Sequence, residues 1–551
     1  MKVYEAVARA IADEGVQDVF TLVGNANMEM LAALQAVGGV RTYHAPIEGT
    51  AIGMAEGYAR SSNRVGVAVV TSGPALANAV NALTSAVRAG TPLVLITGHP
   101  TSRDNHQHLH QEAVADLTGA AYFDVPDAGG VLDVVRLAFY TASAESRPVI
   151  LDIGRAVSNA DYDWPYSYEP SAAGRQIDYG MPPAPAALDA ALELIAASQR
   201  PVIIAGAGAY AADCRQAILD LGTEIGALLA TTLHVKNWFA GEPFDLGVAG
   251  LFSWHYTTEI LAEADCVIGI GASLNYHTTE GGYLFPAART VQIDTRAELL
   301  MGNGERADAY VRGDAALTVA ALTDAIRKKG LGATRFRTPE ISERIAAGAA
   351  NLDPAEFTIE PGRVDPRRVL EVVDRDMPDP AGIVVSTGHS WGLSNLVLRR
   401  WREPQLYSHA FGSIGIAFPL CLGAAAAHPG RPFLHVEGDG SLMMTVHGLA
   451  TLAQYDLPVF VVVLNDSAYS AEAHQLIAKG IDPSVAYLHD VDFADVARAF
   501  GCRSAVIRSE QDMTAALADF RSRPGPFVAD VRTSRNVISV PFRRLHYGQP
   551  A

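Results

Sequence analysis

Cysteine is scarce in this sequence, and long hydrophobic runs are missing. The 551 residues include four cysteines, too scattered to form a metal-binding or redox pair: Cys214, Cys266, Cys421 and Cys502. We therefore expect buried, reduced thiols and no disulfides. No apolar run has the length of a bilayer span, and residues 2–16 have the pattern of an amphipathic helix, not of a signal peptide. These absences predict a soluble, cytoplasmic protein without a membrane partner.

Basic residues are also in deficit. The chain has 60 acidic and 42 basic residues, which gives a formal net charge of −18. A charge of this sign repels nucleic acid and anionic membranes. The composition therefore argues against a nucleic-acid-binding function and favours small-molecule chemistry.

Short β-branched runs alternate with alanine-rich helical stretches along the whole chain. Examples are "VGVAVVTSG", "RPVILDIG" and "PVFVVVLND". Strands that are apolar on both faces and separated by helices predict parallel sheets covered on each side. Proline-rich breaks at residues 161–185 and 351–366 divide the chain. The pattern predicts an α/β protein of three doubly wound parallel-sheet domains, at residues 1–165, 186–350 and 362–551.

The segment "VEGDGSLMMT" places an aspartate between two glycines where a hydrophobic strand ends. A glycine turn that opens onto a helix presents free backbone amides to a phosphate, and Gly440 and Ser441 would supply them. Asp439 in the same turn would repel a bare diphosphate. Its presence is explained if a divalent cation lies between the carboxylate and the phosphates.

A second aspartate, Asp466, ends the next strand in "PVFVVVLNDSAYS". The interval between the two aspartates holds a turn, a helix and a strand, so both are expected at neighbouring strand ends. The carbonyl of Ala468 is a further candidate ligand. Each aspartate alone has the simpler interpretation of a turn residue, but together they predict a magnesium–diphosphate site.

The run "GDGSLMMTVHGLATLAQYDLPVFVVVLND" resembles the diphosphate-binding signature of thiamine diphosphate (ThDP) enzymes. It is most similar to the acetohydroxyacid (acetolactate) synthase, pyruvate oxidase and 2-hydroxyacyl-CoA lyase group, although that family usually has asparagine where Asp466 stands. The resemblance implies the ThDP-binding fold, in the order pyrimidine domain, central domain and diphosphate domain, with ThDP and Mg²⁺ as cofactors. It also implies cofactor contacts by Gly388, His389, Ser390, Ile414 and Tyr469.

The stretch "HAPIEGTAIGMAEGYAR" contains the candidate catalytic carboxyl group. ThDP chemistry needs a carboxyl group that hydrogen-bonds the aminopyrimidine ring, and Glu48 precedes small and apolar residues at helical spacing. A glutamate stabilised by the helix dipole is the alternative for Glu48 alone. The resemblance implies the catalytic role and makes Glu56 structural. It also implies a homodimer or homotetramer with active sites at the subunit interface, where Glu48 of one chain serves Asp439 of another.

Three further residues are candidates for the substrate chemistry. Gln111 matches a glutamine that faces the substrate in acetohydroxyacid synthases, and the adjacent His110 is a candidate for proton transfer. His106, His108 and His110 alternate in one loop, which favours a polar loop at the active-site mouth over a metal site. Glu472 replaces an apolar residue of the synthases. It is either an acid–base group for an intermediate or part of a solvated helix face.

The central block bears on a second cofactor. In "TVQIDTRAELL", Arg296 stands where relatives commonly have aspartate, and it suits a phosphate better than a ribose hydroxyl. The arginine-containing segment of FAD-binding synthases is replaced by "GASLNYHTTEGGY", so FAD is disfavoured, while ADP or coenzyme A stays open. Four arginines of the C-terminal tail either cap an acyl-CoA or bind the acidic body of the protein: Arg532, Arg535, Arg543 and Arg544.

Four functions follow from this pattern, in decreasing order of support. The first is a ThDP- and Mg²⁺-dependent, acetolactate synthase-like decarboxylase and carboligase acting on a 2-oxo acid. The second is a 2-hydroxyacyl-CoA lyase, and the third is a flavin-dependent 2-oxo acid oxidase. The fourth is a catalytically inactive ThDP-binding regulatory partner, against which the retention of Glu48 argues.

Overall fold

Three six-stranded parallel sheets, each with helices packed against it, form the protein. The computed structural model describes residues 1–102, 104–174, 180–350 and 352–548. Every pairing between the named strands is parallel. The predicted α/β class with three parallel-sheet units is confirmed, and the three domain boundaries stay a prediction.

The first sheet has the strand order β2-β1-β3-β4-β6-β5. Its strands are β1 (Asp18–Thr21), β2 (Arg41–His44), β3 (Gly66–Val69), β4 (Leu93–Thr97), β5 (Ala121–Asp124) and β6 (Pro148–Asp152). The helices of this part are α1 (Val3–Asp13), α2 (Met28–Val37), α3 (Glu48–Ser62), α4 (Pro74–Arg88), α5 (Gln111–Thr118), α6 (Val131–Glu145) and α7 (Arg155–Ser158).

The second sheet has the order β12-β11-β10-β7-β8-β9. Its strands are β7 (Pro201–Ala205), β8 (Leu228–Thr231), β9 (Asp245–Val248), β10 (Cys266–Ile270), β11 (Arg289–Asp294) and β12 (Ala309–Arg312). The helices are α8 (Pro185–Ala197), α9 (Ala207–Ala211), α10 (Arg215–Ile225), α11 (His255–Ala262), α12 (Tyr276–Thr279), α13 (Ala315–Lys329) and α14 (Pro339–Ala350).

The third sheet has the order β14-β13-β15-β16-β18-β17. Its strands are β13 (Gly382–Val385), β14 (Gln405–Tyr407), β15 (Phe433–Gly438), β16 (Val459–Asn465), β17 (Arg503–Ile507) and β18 (Phe527–Arg532). The helices are α15 (Pro366–Asp376), α16 (His389–Val397), α17 (Ala417–Ala427), α18 (Asp439–Thr445), α19 (Gly448–Gln454), α20 (Ser470–Ala478), α21 (Phe493–Ala499), α22 (Glu510–Ser522) and α23 (Val540–Tyr547).

The apolar strands bury side chains on both faces, as their composition predicts. In β4, Leu93 and Leu95 enter one hydrophobic core, while Val94 and Ile96 enter the core on the opposite face. Because successive side chains of a strand point to opposite faces, a strand apolar at every position needs cover on both sides. The helices supply that cover.

The first and third sheets share one hydrophobic core, in which α3 packs directly against α17. A Cβ atom at Gly57 would lie 1.9 Å from the carbonyl oxygen of Leu420, and one at Gly423 would lie 1.8 Å from that of Met54. Only glycine allows two helix backbones to approach this closely. This contact fixes the position of α3, whose first residue is Glu48, relative to the third sheet.

The sequence led us to expect buried, reduced cysteines and no membrane-spanning segment. All four cysteines are free and buried. Within the described ranges, no helix combines the length and the apolar character that crossing a membrane requires.

Candidate active site

The two aspartates singled out in the sequence lie side by side at the carboxyl end of the third sheet. Strands β15 and β16 pair in parallel with Gly438 opposite Leu464, so Asp439 and Asp466 follow directly at neighbouring strand ends. After β13 the chain moves outward to β14 at one edge of the sheet, and after β15 it moves in the opposite direction to β16. Such a reversal opens a crevice above the strand ends, where ligands of α/β proteins bind.

A cavity of about 510 Å³ occupies this crevice. It is lined by each of the predicted site residues of the C-terminal block: Gly388, His389, Ser390, Ile414, Asp439, Gly440, Ser441, Asp466, Ala468, Tyr469 and Glu472. Among the residues that the structure describes, its lining comes from the third-sheet part of the chain alone. Glu48, His110 and Gln111 lie outside it.

The carboxylates of Asp439 and Asp466 are both buried, with relative exposures of 4% and 8%. Oδ1 of Asp439 accepts a hydrogen bond from the amide of Gly440 (2.7 Å), and Oδ2 of Asp466 accepts one from the Ser470 hydroxyl. Burial raises the pKa of both groups, and the negative charge of Asp466 raises that of Asp439 further. Two buried carboxylates in one pocket match the oxygen ligands that a divalent cation prefers.

The positive charges of Arg535 and Arg363 lower the pKa of Asp466, but within the described residues neither guanidinium forms a salt bridge with the two carboxylates. Nε of Arg535 donates to the backbone carbonyl of Asp466 at 2.6 Å, and its Nη2 donates to the carbonyl of Ser467. The guanidinium therefore supports the turn without occupying a carboxylate oxygen, while backbone amides such as that of Gly440 and the Ser470 hydroxyl donate to the two carboxylates.

The ring of Tyr469 packs against Gly440. A Cβ atom at Gly440 would lie 2.5 Å from the Tyr469 ring. The ring therefore covers the turn without closing the cavity, which both residues line.

A buried polar network lies beneath the turn, and the sequence reasoning did not find it. The carboxylate of Glu437 accepts hydrogen bonds from the hydroxyls of Ser441 (2.5 Å) and Ser386 (3.3 Å) through Oε1. Its Oε2 lies 3.1 Å from Nε2 of His435. The Ser441 hydroxyl in turn accepts from the amide of Gly415 (2.8 Å), next to Ile414. Two ionisable residues in an otherwise apolar strand, "FLHVEG", were the signal for this network.

His389 is a neutral hydrogen-bond donor at the wall of the cavity. Its Nε2 accepts from the backbone amide of Ser539 (3.1 Å), so the ring proton of the neutral form is on Nδ1. Burial lowers the pKa of His389 well below its ordinary value, and the nearby ring of His474 lowers it further. His389 therefore offers an uncharged N–H group.

Glu48 is buried at the start of α3 and has a partner in its own chain. The side-chain amide of Asn78, on α4, donates to Oε2 of Glu48 at 3.1 Å. Glu56 is fully buried and pairs with Arg60 at 2.9 Å, which agrees with the structural role expected for it. Asn78 was not singled out from the sequence, because its partner is 30 residues away.

Gln111 is 3% exposed, and both ends of its side-chain amide are engaged. Its Oε1 accepts from the amide of Gly73 (3.2 Å), and its Nε2 donates to Asp152 (2.5 Å). His110 is exposed, with Nε2 at 3.8 Å from Glu112. Within the described ranges, the alternating histidines of this loop form no ligand group; the group that does meet metal-ligand spacing is His99, Asp124 and Asp152.

The second sheet borders another cavity, of about 790 Å³, at the carboxyl ends of β7, β10 and β11. Thr387 and Gly412 line both cavities, so the two adjoin. Arg296 lines this cleft, but its guanidinium forms two hydrogen bonds with the carboxylate of Asp294, at 2.9 and 2.8 Å. A phosphate here would meet an arginine whose charge is already paired.

The arginines of the tail also bind groups of their own chain. Arg532 pairs with Asp530 and Asp490, Arg535 with the Asp466 carbonyl, Arg543 with Asp353, and Arg544 with Glu280. Of the two interpretations given above, the contacts therefore match binding to the acidic body of the protein.

The fold and the cavity together define a class of protein: a three-sheet α/β protein with paired buried carboxylates in a cavity at the strand ends of its third sheet. Family models narrow this class. Residues 1–119 match the N-terminal TPP binding domain of thiamine pyrophosphate enzymes, residues 188–322 their central domain, and residues 388–531 their C-terminal TPP binding domain. Thiamine pyrophosphate is another name for ThDP.

Curated relatives cover nearly the whole chain. The large subunit of acetolactate synthase from Haemophilus influenzae is 28% identical over 516 residues, which are 90% of this chain and 88% of the relative. The corresponding subunit from Parasynechococcus marenigrum is 29% identical, with 96% and 87% covered. Sulfoacetaldehyde acetyltransferase from Castellaniella defragrans is 28% identical, with 99% and 95% covered.

The chain belongs to the thiamine pyrophosphate enzymes and is a ThDP-dependent enzyme of the acetolactate synthase and pyruvate oxidase group. The expectations of the family, the enzyme class and the ThDP cofactor are thereby confirmed.

Proposed function

We propose that this enzyme decarboxylates a 2-oxo acid and transfers the remaining acyl carbanion equivalent to a second carbonyl compound, with Mg²⁺ as the second cofactor. The observation that carries the proposal is the pair of buried carboxylates, Asp439 and Asp466, in a cavity adjoining a glycine turn. The acetolactate synthases and the acetyltransferase among its relatives support the carboligase assignment.

The residues of the cavity fit a magnesium-bound diphosphate. Asp439, Asp466 and the carbonyl of Ala468 would hold the cation, which favours oxygen ligands. The amides of Gly440 and Ser441 and Nδ1–H of His389 would donate to the phosphate oxygens. Gly388 and Ser390 would line the same end, while Ile414 and Tyr469 would confine the cofactor.

Bound ThDP supplies a carbon nucleophile that adds to a carbonyl and stabilises the carbanion left when a neighbouring bond breaks. The protein's part is to hold and move protons. Asn78 occupies Oε2 of Glu48, and the contacts of the described residues leave Oε1 to hold a proton at the aminopyrimidine ring. Gln111 accepts from the amide of Gly73 at the start of α4, the helix that bears Asn78, and Gln111 and the adjacent His110 are proposed to act at the substrate.

A second copy of the chain is proposed to complete the site. The cavity around Asp439 has no lining residue from the first-sheet part of the chain, which carries Glu48. Three large apolar side chains within three residues of a lining residue along the chain are about half exposed: Phe411 (46%), Met443 (47%) and Met444 (50%). A homodimer or homotetramer that covers these side chains and brings Glu48 from the partner satisfies both observations.

A 2-hydroxyacyl-CoA lyase is the second candidate. The observation that favours it is Glu472, an exposed carboxylate at the cavity that adds an acid–base group where synthases have an apolar residue. The adjoining cleft of about 790 Å³ has room for ADP or part of coenzyme A. The paired state of Arg296 and of the tail arginines weighs against a tightly held phosphate, so we rank the lyase below the carboligase. FAD, and with it the flavin oxidase, stays disfavoured.

The deciding experiment is an acid quench of the protein after incubation with Mg²⁺, ThDP and pyruvate, followed by proton NMR of the released cofactor. A carbon adduct on the cofactor is the expected result and would establish 2-oxo acid chemistry. Unmodified ThDP, released from a protein that binds it well, would contradict the proposal and favour the acyl-CoA lyase. Unmodified ThDP with every donor of either class would favour the inactive regulatory partner.

A further inference from the structure

A single buried carboxylate, that of Asp152, holds both ends of the histidine-rich loop. Asp152 ends β6 and is 1% exposed. Its Oδ1 lies 2.9 Å from Nδ1 of His99, the second residue after β4. Its Oδ2 accepts hydrogen bonds from Nε2 of Gln111 (2.5 Å), the first residue of α5, and from the hydroxyl of Tyr122 (2.7 Å). The loop between His99 and Gln111 therefore begins and ends at one side chain.

Gln111 extends this connection to the first turn of α4. Its Oε1 accepts from the amide of Gly73, the residue that precedes the helix. Gly73 has a φ of +49°, and a Cβ atom there would lie 1.9 Å from the carbonyl oxygen of Gln107. The loop thus rests directly on the helix start, at a position where only glycine fits.

Asn78, one turn further along α4, donates to Glu48. Hydrogen bonds therefore lead from Asp152 through Gln111 to Gly73, and helix α4 joins Gly73 to Asn78, the residue that holds Glu48. All of these groups lie within the same part of one chain, so the path does not depend on the partner subunit.

We propose that Asp152 is a positioning residue of the active site, which fixes the histidine-rich loop and the first turn of α4 and so sets the placement of Gln111 and Glu48. The proposal rests on the proposed roles of Gln111 and Glu48 and adds a residue to which nothing in the sequence pattern assigns a function. The proposal also explains why Gln111 is buried. Its side-chain amide joins Asp152 at the end of β6 to Gly73 at the start of α4.

The same contacts explain the grouping of His99, Asp124 and Asp152 without a metal ion. Both oxygens of Asp152 already accept hydrogen bonds from side chains. Asp124 is exposed on 52% of its side chain, and its carboxylate lies 4.0 Å from His99. The grouping is better described as a hydrogen-bonded anchor with one exposed neighbour.

The variant Asp152→Asn tests the anchor because it keeps the shape and removes one acceptor. An asparagine that accepts from His99 presents its NH₂ group to the NH₂ group of Gln111, and the opposite orientation keeps His99 only if the ring proton moves from Nδ1 to Nε2. Asp124→Asn is the matched control, since it removes a carboxylate near the same histidine but no hydrogen bond to the loop. Hydrogen exchange measured by mass spectrometry on the protein without ThDP follows the loop independently of activity.

In Asp152→Asn we expect exchange in peptides covering residues 72–76 and 99–112 to rise about tenfold or more, with little change in peptides of α17. ThDP affinity should stay within about threefold, while kcat/KM for the 2-oxo acid falls about tenfold or more. Asp124→Asn should leave exchange and kcat/KM within about twofold. Unchanged exchange in Asp152→Asn, or equal effects in the two variants, would overturn the proposal.

If Asp152→Asn does not fold, Gln111→Met gives the same test from the other side. It cuts the connection to Gly73 but keeps His99 and Tyr122 on Asp152, so exchange should rise at residues 72–76 and stay near wild type at His99. A failure of the proposed function is distinguishable: the wild type then lacks turnover with 2-oxo acids, although the exchange differences persist. If Asp152→Asn shows faster exchange but unchanged kcat/KM, Asp152 anchors the loop but does not position the active site.

Discussion

The two halves of the proposed site differ in the neighbours of their buried carboxylates: Glu48 lies beside a neutral amide, whereas Asp439 and Asp466 lie beside each other. Around Glu48, the protein provides partners itself: Asn78 for the glutamate, and Gly73 and Asp152 for Gln111. Around Asp439, two carboxylates are buried together with raised pKa values. The first half is therefore organised before any ligand binds, whereas the second half stores a charge repulsion that a cation relieves.

This difference assigns different tasks to the two halves. A group that transfers a proton must be held in one orientation, and the hydrogen bond to Asn78 does so. A carboxylate that binds a metal ion must be accessible to that ion, and an arginine paired directly with the carboxylate would compete with the metal. The predictions below test each half separately, so that loss of turnover and loss of cofactor binding are distinguished.

The largest effect is expected for Glu48→Gln. The glutamine keeps the shape and the contact with Asn78 but cannot hold or release the proton, so turnover should fall by about a hundredfold or more, with ThDP affinity within about tenfold. Steady-state kinetics and a ThDP titration monitored by intrinsic fluorescence provide the two measurements. Equal turnover in the wild type and the variant would remove Glu48 from the catalytic role.

Asp439→Asn should reverse that pattern by acting on binding. Loss of one negative ligand should weaken the affinity for Mg²⁺ and ThDP by about ten- to a hundredfold, and saturating cofactor should recover part of the turnover. Asp466→Asn is the matched comparison, because relatives of this family have asparagine there, and its effect should be smaller. A loss of turnover that excess Mg²⁺ and ThDP cannot restore would contradict the separation between the halves.

The stored repulsion should also be visible in the pH dependence of stability without cofactor. The pKa of Asp439 is raised in the folded protein, so the folded state binds more protons than the unfolded state and stability falls as pH rises from about 4 towards neutrality. Buried neutral histidines such as His389 act in the opposite direction as pH falls below about 6.5.

The informative quantity is therefore the difference in melting temperature between the wild type and Asp439→Asn, measured from pH 5 to pH 8 in EDTA. We expect the variant to be more stable than the wild type, increasingly so at higher pH, and Mg²⁺ with ThDP to abolish this advantage. A difference that does not change with pH would show that the carboxylate is already neutralised by the protein.

The sequence predicted the diphosphate half of the site better than the surroundings of Glu48. Asp439 and Asp466 end consecutive strands in a parallel sheet, and the geometry of such a sheet brings those ends together whatever the details of packing. The anchors around Glu48 join residues from different loops, as with Asp152 and Gln111. Their partnership depends on tertiary packing, which local patterns do not contain.

The same reasoning explains why the network under the turn was missed. Strand β15 was expected from its apolar residues, and its parallel pairing is confirmed. His435 and Glu437 are ionisable residues in that strand, and a pattern of burial alone treats them as exceptions. Their role emerges only when Ser386, Ser441 and Gly415 are placed around them.

Ser441→Ala is expected to give the smallest of these effects, and it tests how far the diphosphate half is organised in advance. The substitution removes a donor to Glu437 and leaves the buried amide of Gly415 without its acceptor, at a cost of about 1–3 kcal/mol. Because Ile414 adjoins Gly415, part of this cost should appear as weaker ThDP binding, about threefold to tenfold. Ser386→Ala is the matched control, since it removes a donor to the same Glu437 oxygen and a 3.2 Å contact with the Ser441 hydroxyl but no direct contact with the Ile414 loop, and its effect on ThDP binding should stay within about twofold. Calorimetric titration of both variants with ThDP at saturating Mg²⁺ provides the comparison. Equal effects in the two variants would mean that the charge of Glu437, and not the placement of Ile414, governs cofactor binding.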